Sequence, residues 1–145
     1  MSHPMIYGSG RAAVPWHRRP PVLLAVAAAR LLILLPPRRL RRVLTAVRRG
    51  AAPATAGQAL TARRHVTAVS LRCAGEGCLQ RSVATALLCR MRGVWPDWCT
   101  GVRTSPFRAH AWVEVDGHPV GEGQQPPGYY HRLMTVPAVR RPPRT

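Results

Sequence analysis

Between residues 77 and 122 the spacing of apolar side chains changes period, and that change limits what the chain can fold into. From residue 78 to 91, Leu79, Val83, Ala86, Leu87 and Met91 recur at helical intervals along one face, and Gly93 closes the run. Residues 95–103 alternate weakly with Pro96 near the start, which suits a strand beginning at that proline. Residues 107–115 alternate plainly, with Ala109, Ala111, Val113 and Val115 on one side and His110, Trp112 and Glu114 on the other. Asp116-Gly117 is a hairpin turn signal, so residues 118–122 are expected to return as a third strand. A helix followed by consecutive antiparallel strands defines an α+β fold.

Upstream the pattern is helical. Residues 1–20 are polar, carry Gly and Pro and lack periodicity, and are expected to form a flexible arm. Residues 21–35 form an apolar run that ends at Pro36-Pro37. With Arg30 inside, it is shorter than the roughly 20 residues that a membrane-spanning helix needs. Arg18-Arg19 ahead of it resembles the start of a signal peptide, but Pro-Pro-Arg-Arg follows in place of a small-residue cleavage site. A helix buried on most sides against the domain is the expectation, and peripheral membrane contact is the alternative. Residues 38–49 place Leu40, Val43, Leu44 and Val47 on one stripe, ringed by Arg39, Arg41, Arg42, Arg48 and Arg49. Residues 58–72 resume a helical pattern. The expected layout is one domain over residues 21–135, helical over 21–72 and with its chemistry in 73–124. A disordered basic tail over 136–145 is expected to follow.

The charge is lopsided, with 22 basic residues against 5 acidic and a formal net charge of +17. All 22 are Arg. Sites selected for phosphate usually mix Arg with Lys, so the bias points to codon composition rather than to a nucleic-acid partner. Aromatic residues are not interleaved with the basic runs, and no nucleic-acid binding is expected. The surplus still favours acidic partners. Four cysteines, Cys73, Cys78, Cys89 and Cys99, form no C-x-x-C pair and lack zinc-site spacing, so neither a metal nor a cofactor is expected. The chain is read as reduced and cytoplasmic, with three of the four thiols buried.

One cysteine stands apart. Cys78 falls in the first turn of its helix, where unpaired N–H groups and the positive end of the dipole favour a thiolate and suit an oxyanion. His110 follows 32 residues later in a strand. Thiol catalysis needs a nucleophile, an imidazole and a polar group that fixes the imidazole tautomer. A hairpin centred on Asp116-Gly117 carries Glu122 back alongside His110 and leaves Asp116 at the tip. The candidate site is therefore Cys78, His110 and Glu122, with Asp116 the alternative third member.

These residues resemble a known family. Cys-Leu-x-Arg-Ser over 78–82, Gly-Val-Arg over 101–103 and Pro-Phe-x-Ala-His-Ala-Trp-Val-Glu-x-Asp-Gly over 106–117 are similar to the leader peptidase of bacterial lasso-peptide biosynthesis. The resemblance spans about residues 23–122. It implies a transglutaminase-like core related to papain-type cysteine proteases, with Cys78 as nucleophile, His110 as base and the acidic partner at 122, where many members carry Asp. Fused members add a winged-helix domain that reads the leader. This chain is expected to be too short to hold one, so similarity to split members implies a separate leader-binding protein as partner. It also implies a lasso precursor peptide as substrate and an ATP-dependent macrolactam synthetase acting next. The Arg-rich run at 38–42 is expected to meet acidic surfaces of such partners. The alternatives are a transamidase built on the same site and a non-enzymatic basic binding module in which Cys78 is inert.

Overall fold

The computed structural model describes residues 14–75, 77–123 and 129–140. After a 3-10 turn at Trp16–Arg18 come helices α1 (Arg19–Leu32), α2 (Pro37–Val47), α3 (Ala56–Val69), α4 (Leu71–Ala74) and α5 (Cys78–Met91). The strands are β1 (Ala52–Pro53), β2 (Val94–Trp95), β3 (Asp97–Thr104), β4 (Phe107–Val115), β5 (His118–Pro119) and β6 (His131–Val136). β1 and β2 pair in parallel as a two-residue bridge, and the main sheet runs β5-β4-β3-β6, antiparallel throughout. Helices precede a consecutive antiparallel sheet, the α+β arrangement that the change of period implies.

α5 is the hub. It packs against α1, α3 and β4, and its residues from Gln80 to Ala86 are buried on every side. A single apolar face is too narrow a description of it, because neighbours cover its polar face as well. Gln80 donates to the Val26 carbonyl at 3.2 Å and Ser82 accepts from the Trp98 indole at 3.0 Å, which makes a full wrap tolerable. α1 is the reverse case. Its large side chains Leu23, Leu24 and Leu31 face outward, while Val22, Ala25 and Ala29 pack inward. Small residues on the inner face let α1 approach α5 closely. The expectation that α1 is buried on most sides is therefore corrected.

Both ends of the domain reach further than their composition suggests. Of the arm expected over 1–20, residues 14–20 are structured. Val14 is buried in the core, its carbonyl accepts from Arg19 Nε at 3.1 Å, and α1 begins at Arg19. Residues 1–13 lie outside the described residues. Of the tail expected over 136–145, Val136 is buried, Ala138 N–H donates to Asp97 Oδ1 at 2.7 Å, and Arg140 pairs with Asp116 at 2.8 Å. Residues 141–145 lie outside the described residues.

The expected third strand is short. β5 pairs only His118 with Val115 and Pro119 with Glu114, and one further bond runs from Val120 N–H to the Val113 carbonyl at 2.9 Å. In its place β6, which periodicity did not mark, flanks β3 on the other side and buries Val136, while the Trp95 indole donates to the Val136 carbonyl at 3.1 Å.

The β3–β6 pairing depends on Gly101, where the register shifts. A Cβ there would stand 2.5 Å from the His131 carbonyl oxygen and 2.9 Å from the Trp112 ring. Backbone cannot yield as a flexible side chain can. Gly101→Ala should destabilise the protein by about 1–3 kcal/mol, and thermal unfolding of the purified variant measures it. An unchanged melting temperature would mean that β6 is not packed as described.

Candidate active site

Cys78 is the first residue of α5, and the chain before it is pinned by backbone contacts. The Arg81 guanidinium, one turn further on and buried, donates to the carbonyls of Cys73 at 3.0 Å and Gly75 at 3.1 Å. Gly77 N–H donates to the Arg72 carbonyl at 3.1 Å. A Cβ on Gly77 would lie 2.6 Å from that same oxygen, so only glycine fits. Arg81 N–H closes the first helical bond onto Gly77 O at 2.8 Å, and no side chain caps the helix. The N–H groups of the first turn are left for a ligand. The roles of Arg81 and Ser82 were hidden in the sequence, although both stand in the Cys-Leu-x-Arg-Ser run.

His110 sits in β4 opposite Gly101. Its ring stacks near Trp112 with centroids 5.8 Å apart and near Tyr130 at 5.1 Å. Trp112 is held in turn, because its indole N–H donates to Glu114 Oε1 at 2.8 Å and Arg132 of β6 donates to both Glu114 oxygens. Glu114 is thus a buried carboxylate whose two oxygens share one Arg132 nitrogen, a charge-assisted contact. The scaffold behind His110 joins Trp112 and Glu114 of β4 to Tyr130 and Arg132, which lie outside residues 77–122.

Glu122 Oε2 lies 2.8 Å from His110 Nε2. The chain reaches it through Gly121 at φ +72°, a left-handed turn just past the β5 pairing. Arg63 of α3 stands 3.8 Å from the other carboxylate oxygen. Asp116 instead occupies the hairpin turn at φ 53° and pairs with Arg140. With Nε2 on Glu122, Nδ1 is the ring nitrogen left to face the thiol. The structure brings Cys78, His110 and Glu122 together and leaves Asp116 outside.

The electrostatics follow from that contact. The hydrogen bond from His110, assisted by the Ala111 N–H and by Arg81, holds the Cys78 thiol below its ordinary value against the opposing effect of burial. His110 is raised to about 9 by its bonds to Cys78 and Glu122. Burial pushes Glu122 up, but His110, Arg63 and Arg81 outweigh it and leave the carboxyl below its usual range. Burial drives Cys89 and Cys99 up to about 12 and raises Cys73. All four cysteines are free thiols, and Cys78 alone among them is lowered. Among the described residues no cluster of His, Cys, Asp and Glu is arranged to hold a metal.

Two clefts meet at the sulfur. One, of about 400 Å³, is lined by Gly75, Cys78, Arg81, Arg108, His110 and Tyr130. The other, of about 530 Å³, is apolar and walled by side chains that include Ile33, Leu35, Leu79, Val102 and Met134. A carbonyl placed over Cys78 has room on both sides. No helix among the described residues is long and apolar enough to cross a membrane.

A thiol at a helix start, beside an imidazole on an antiparallel sheet that a carboxylate holds, is the arrangement that thiol chemistry requires. The family profile of the transglutaminase-like superfamily matches residues 22–135, and the chain belongs to that superfamily. No curated protein and no solved structure matches the chain.

At pH 7, iodoacetamide should alkylate Cys78 and spare Cys73, Cys89 and Cys99, as peptide mass mapping would reveal. Replacing His110 with Ala removes the largest influence lowering the thiol. The midpoint of alkylation against pH should then move up towards the ordinary thiol value of about 8.5. A midpoint that stays in place would show that the helix start alone sets the thiolate.

Proposed function

We propose that this protein is a cysteine peptidase that removes the leader from a ribosomally made lasso-peptide precursor. It would act with a separate leader-binding protein and ahead of a macrolactam synthetase. The observation that carries the peptidase reading is Cys78 at the start of α5, lining one cleft with a His110 that Glu122 holds at 2.8 Å. The lasso reading adds the resemblance of the Cys-Leu-x-Arg-Ser and His-Ala-Trp-Val-Glu runs.

The chemistry is that of an acyl-enzyme. The Cys78 thiolate attacks the scissile carbonyl and forms a C–S bond, while the oxygen takes up negative charge beside the free N–H groups at the start of α5. Collapse breaks the C–N bond, and the imidazolium of His110 gives its proton to the departing amine, which becomes the new N-terminus of the core peptide. Neutral His110 then takes a proton from water. The hydroxide attacks the thioester, and the thiolate leaves with the leader as a free acid. Glu122 keeps the ring oriented and stabilises its charged form through both half-reactions. Membership of the transglutaminase-like superfamily favours one second reading, in which an amine replaces water and the product is a new amide. Product mass separates the two.

The test is mass spectrometry of a synthetic precursor peptide incubated with this protein and a leader-binding partner. Wild type should cut once, at the leader–core junction, and Cys78→Ala should not cut at all. Cleavage by both, or by neither with folded protein and partner present, would return the chain to a binding role. His110→Ala should lower kcat by about 10²–10⁴-fold, the usual contribution of a general acid–base.

A further inference from the structure

The apolar cleft at Cys78 does not end at its far wall. Pro37, Leu133 and Met134 belong both to it and to a second groove of about 880 Å³ that lies between α2 and β6. Arg38, Arg41, Arg42 and Arg49 stand exposed along this groove, and Arg48 is fixed beside them by donating to the Pro137 carbonyl at 2.6 Å. Among the described residues β6 is the end strand of the sheet, and no strand there pairs with its outer edge.

The charge of this groove is uncompensated. The chain has five acidic residues, of which Glu76 lies outside the described residues. The other four are engaged elsewhere: Asp97 with Ala138 N–H, Glu114 with Arg132, Asp116 with Arg140, and Glu122 with His110 and Arg63. Among the described residues no groove arginine has a carboxylate within ion-pair distance.

We infer that the α2–β6 groove is a substrate subsite for an acidic stretch of peptide. An apolar side chain next to the reacting carbonyl fills the cleft beside Cys78, and the acidic residues beyond it lie along the arginines. An extended backbone there can also add to the outer edge of β6. The inference rests on the peptidase reading, because it takes the occupant to be the substrate. Continuity with the thiol favours a peptide over a membrane or a nucleic acid, since an extended peptide can lie in both clefts at once and place an amide carbonyl at Cys78. Arg39 is not among the residues that line the groove and provides a control.

The experiment uses the full chain carrying Cys78→Ala and two fluorescent peptides of equal length. In one an apolar residue is followed by a Glu run, and in the other Gln replaces each Glu. Anisotropy should show the acidic peptide binding about tenfold more tightly, with the advantage shrinking as salt rises. Arg41→Glu with Arg42→Glu should abolish the preference, while Arg39→Glu with Arg64→Glu, an equal change of charge outside the groove, should leave most of it. In the wild-type background both double variants should keep the Cys78 alkylation rate, which shows the site intact. Equal affinities, equal loss in both double variants, or binding to anionic vesicles that the acidic peptide cannot displace would overturn the inference. If the acidic peptide binds as expected yet wild type leaves it uncut, the groove binds acidic peptide, but its role as a substrate subsite falls with the peptidase reading.

Discussion

The buried guanidinium of Arg81 is the contact on which the rest of the site depends. A charged side chain inside a small domain is costly unless its hydrogen bonds are met, and here it meets the carbonyls of Cys73 and Gly75. Those two bonds fix the path of the chain into α5, and Gly77 completes the entry where a Cβ would strike the backbone. A thiol is reactive only where its surroundings stay put. The same arginine adds its positive charge to Cys78 and Glu122, so a single side chain supplies both structure and field.

Acidic residues are scarce in this chain, and the four described ones each hold something in place. Glu122 holds the imidazole, Glu114 holds Trp112 and Arg132, Asp97 holds the backbone at Ala138, and Asp116 meets Arg140. The arginines are less evenly employed. Arg90 caps the end of α2 by donating to the carbonyls of Val47 and Arg49, whereas Arg38, Arg41, Arg42 and Arg49 stand exposed along the α2–β6 groove. The surplus that composition reports as one number is thus two populations, one spent inside the fold and one displayed.

The parts of the fold that were legible in sequence are those set by local pattern. The helix of Cys78, the strand of His110 and the Asp116-Gly117 turn each follow from residues within a few positions of one another. Glu122 was found by a sound argument of proximity, but the route differs: it arrives through the left-handed turn at Gly121, since ladder pairing ends at Pro119. β6 was illegible because its pairing partner is β3, some thirty residues earlier, and its Pro-rich, basic flanks look like a tail. The burial of α1 and α5 was interchanged for a related reason. Periodicity reports which side chains share a face, not how many faces a neighbour will cover, and α1 turns its alanines inward where its leucines had suggested the core.

The position of β6 also bears on how the protein comes to life. Arg132 and Tyr130 complete the cluster behind His110, yet they lie more than fifty residues downstream of the thiol that the cluster serves. During synthesis the helices and the β3–β4 hairpin can form in turn from local contacts, but the sheet cannot close on β3 until the ribosome has released Val136. A nascent chain therefore carries Cys78, His110 and Glu122 before Tyr130 and Arg132 have closed the cluster behind the imidazole.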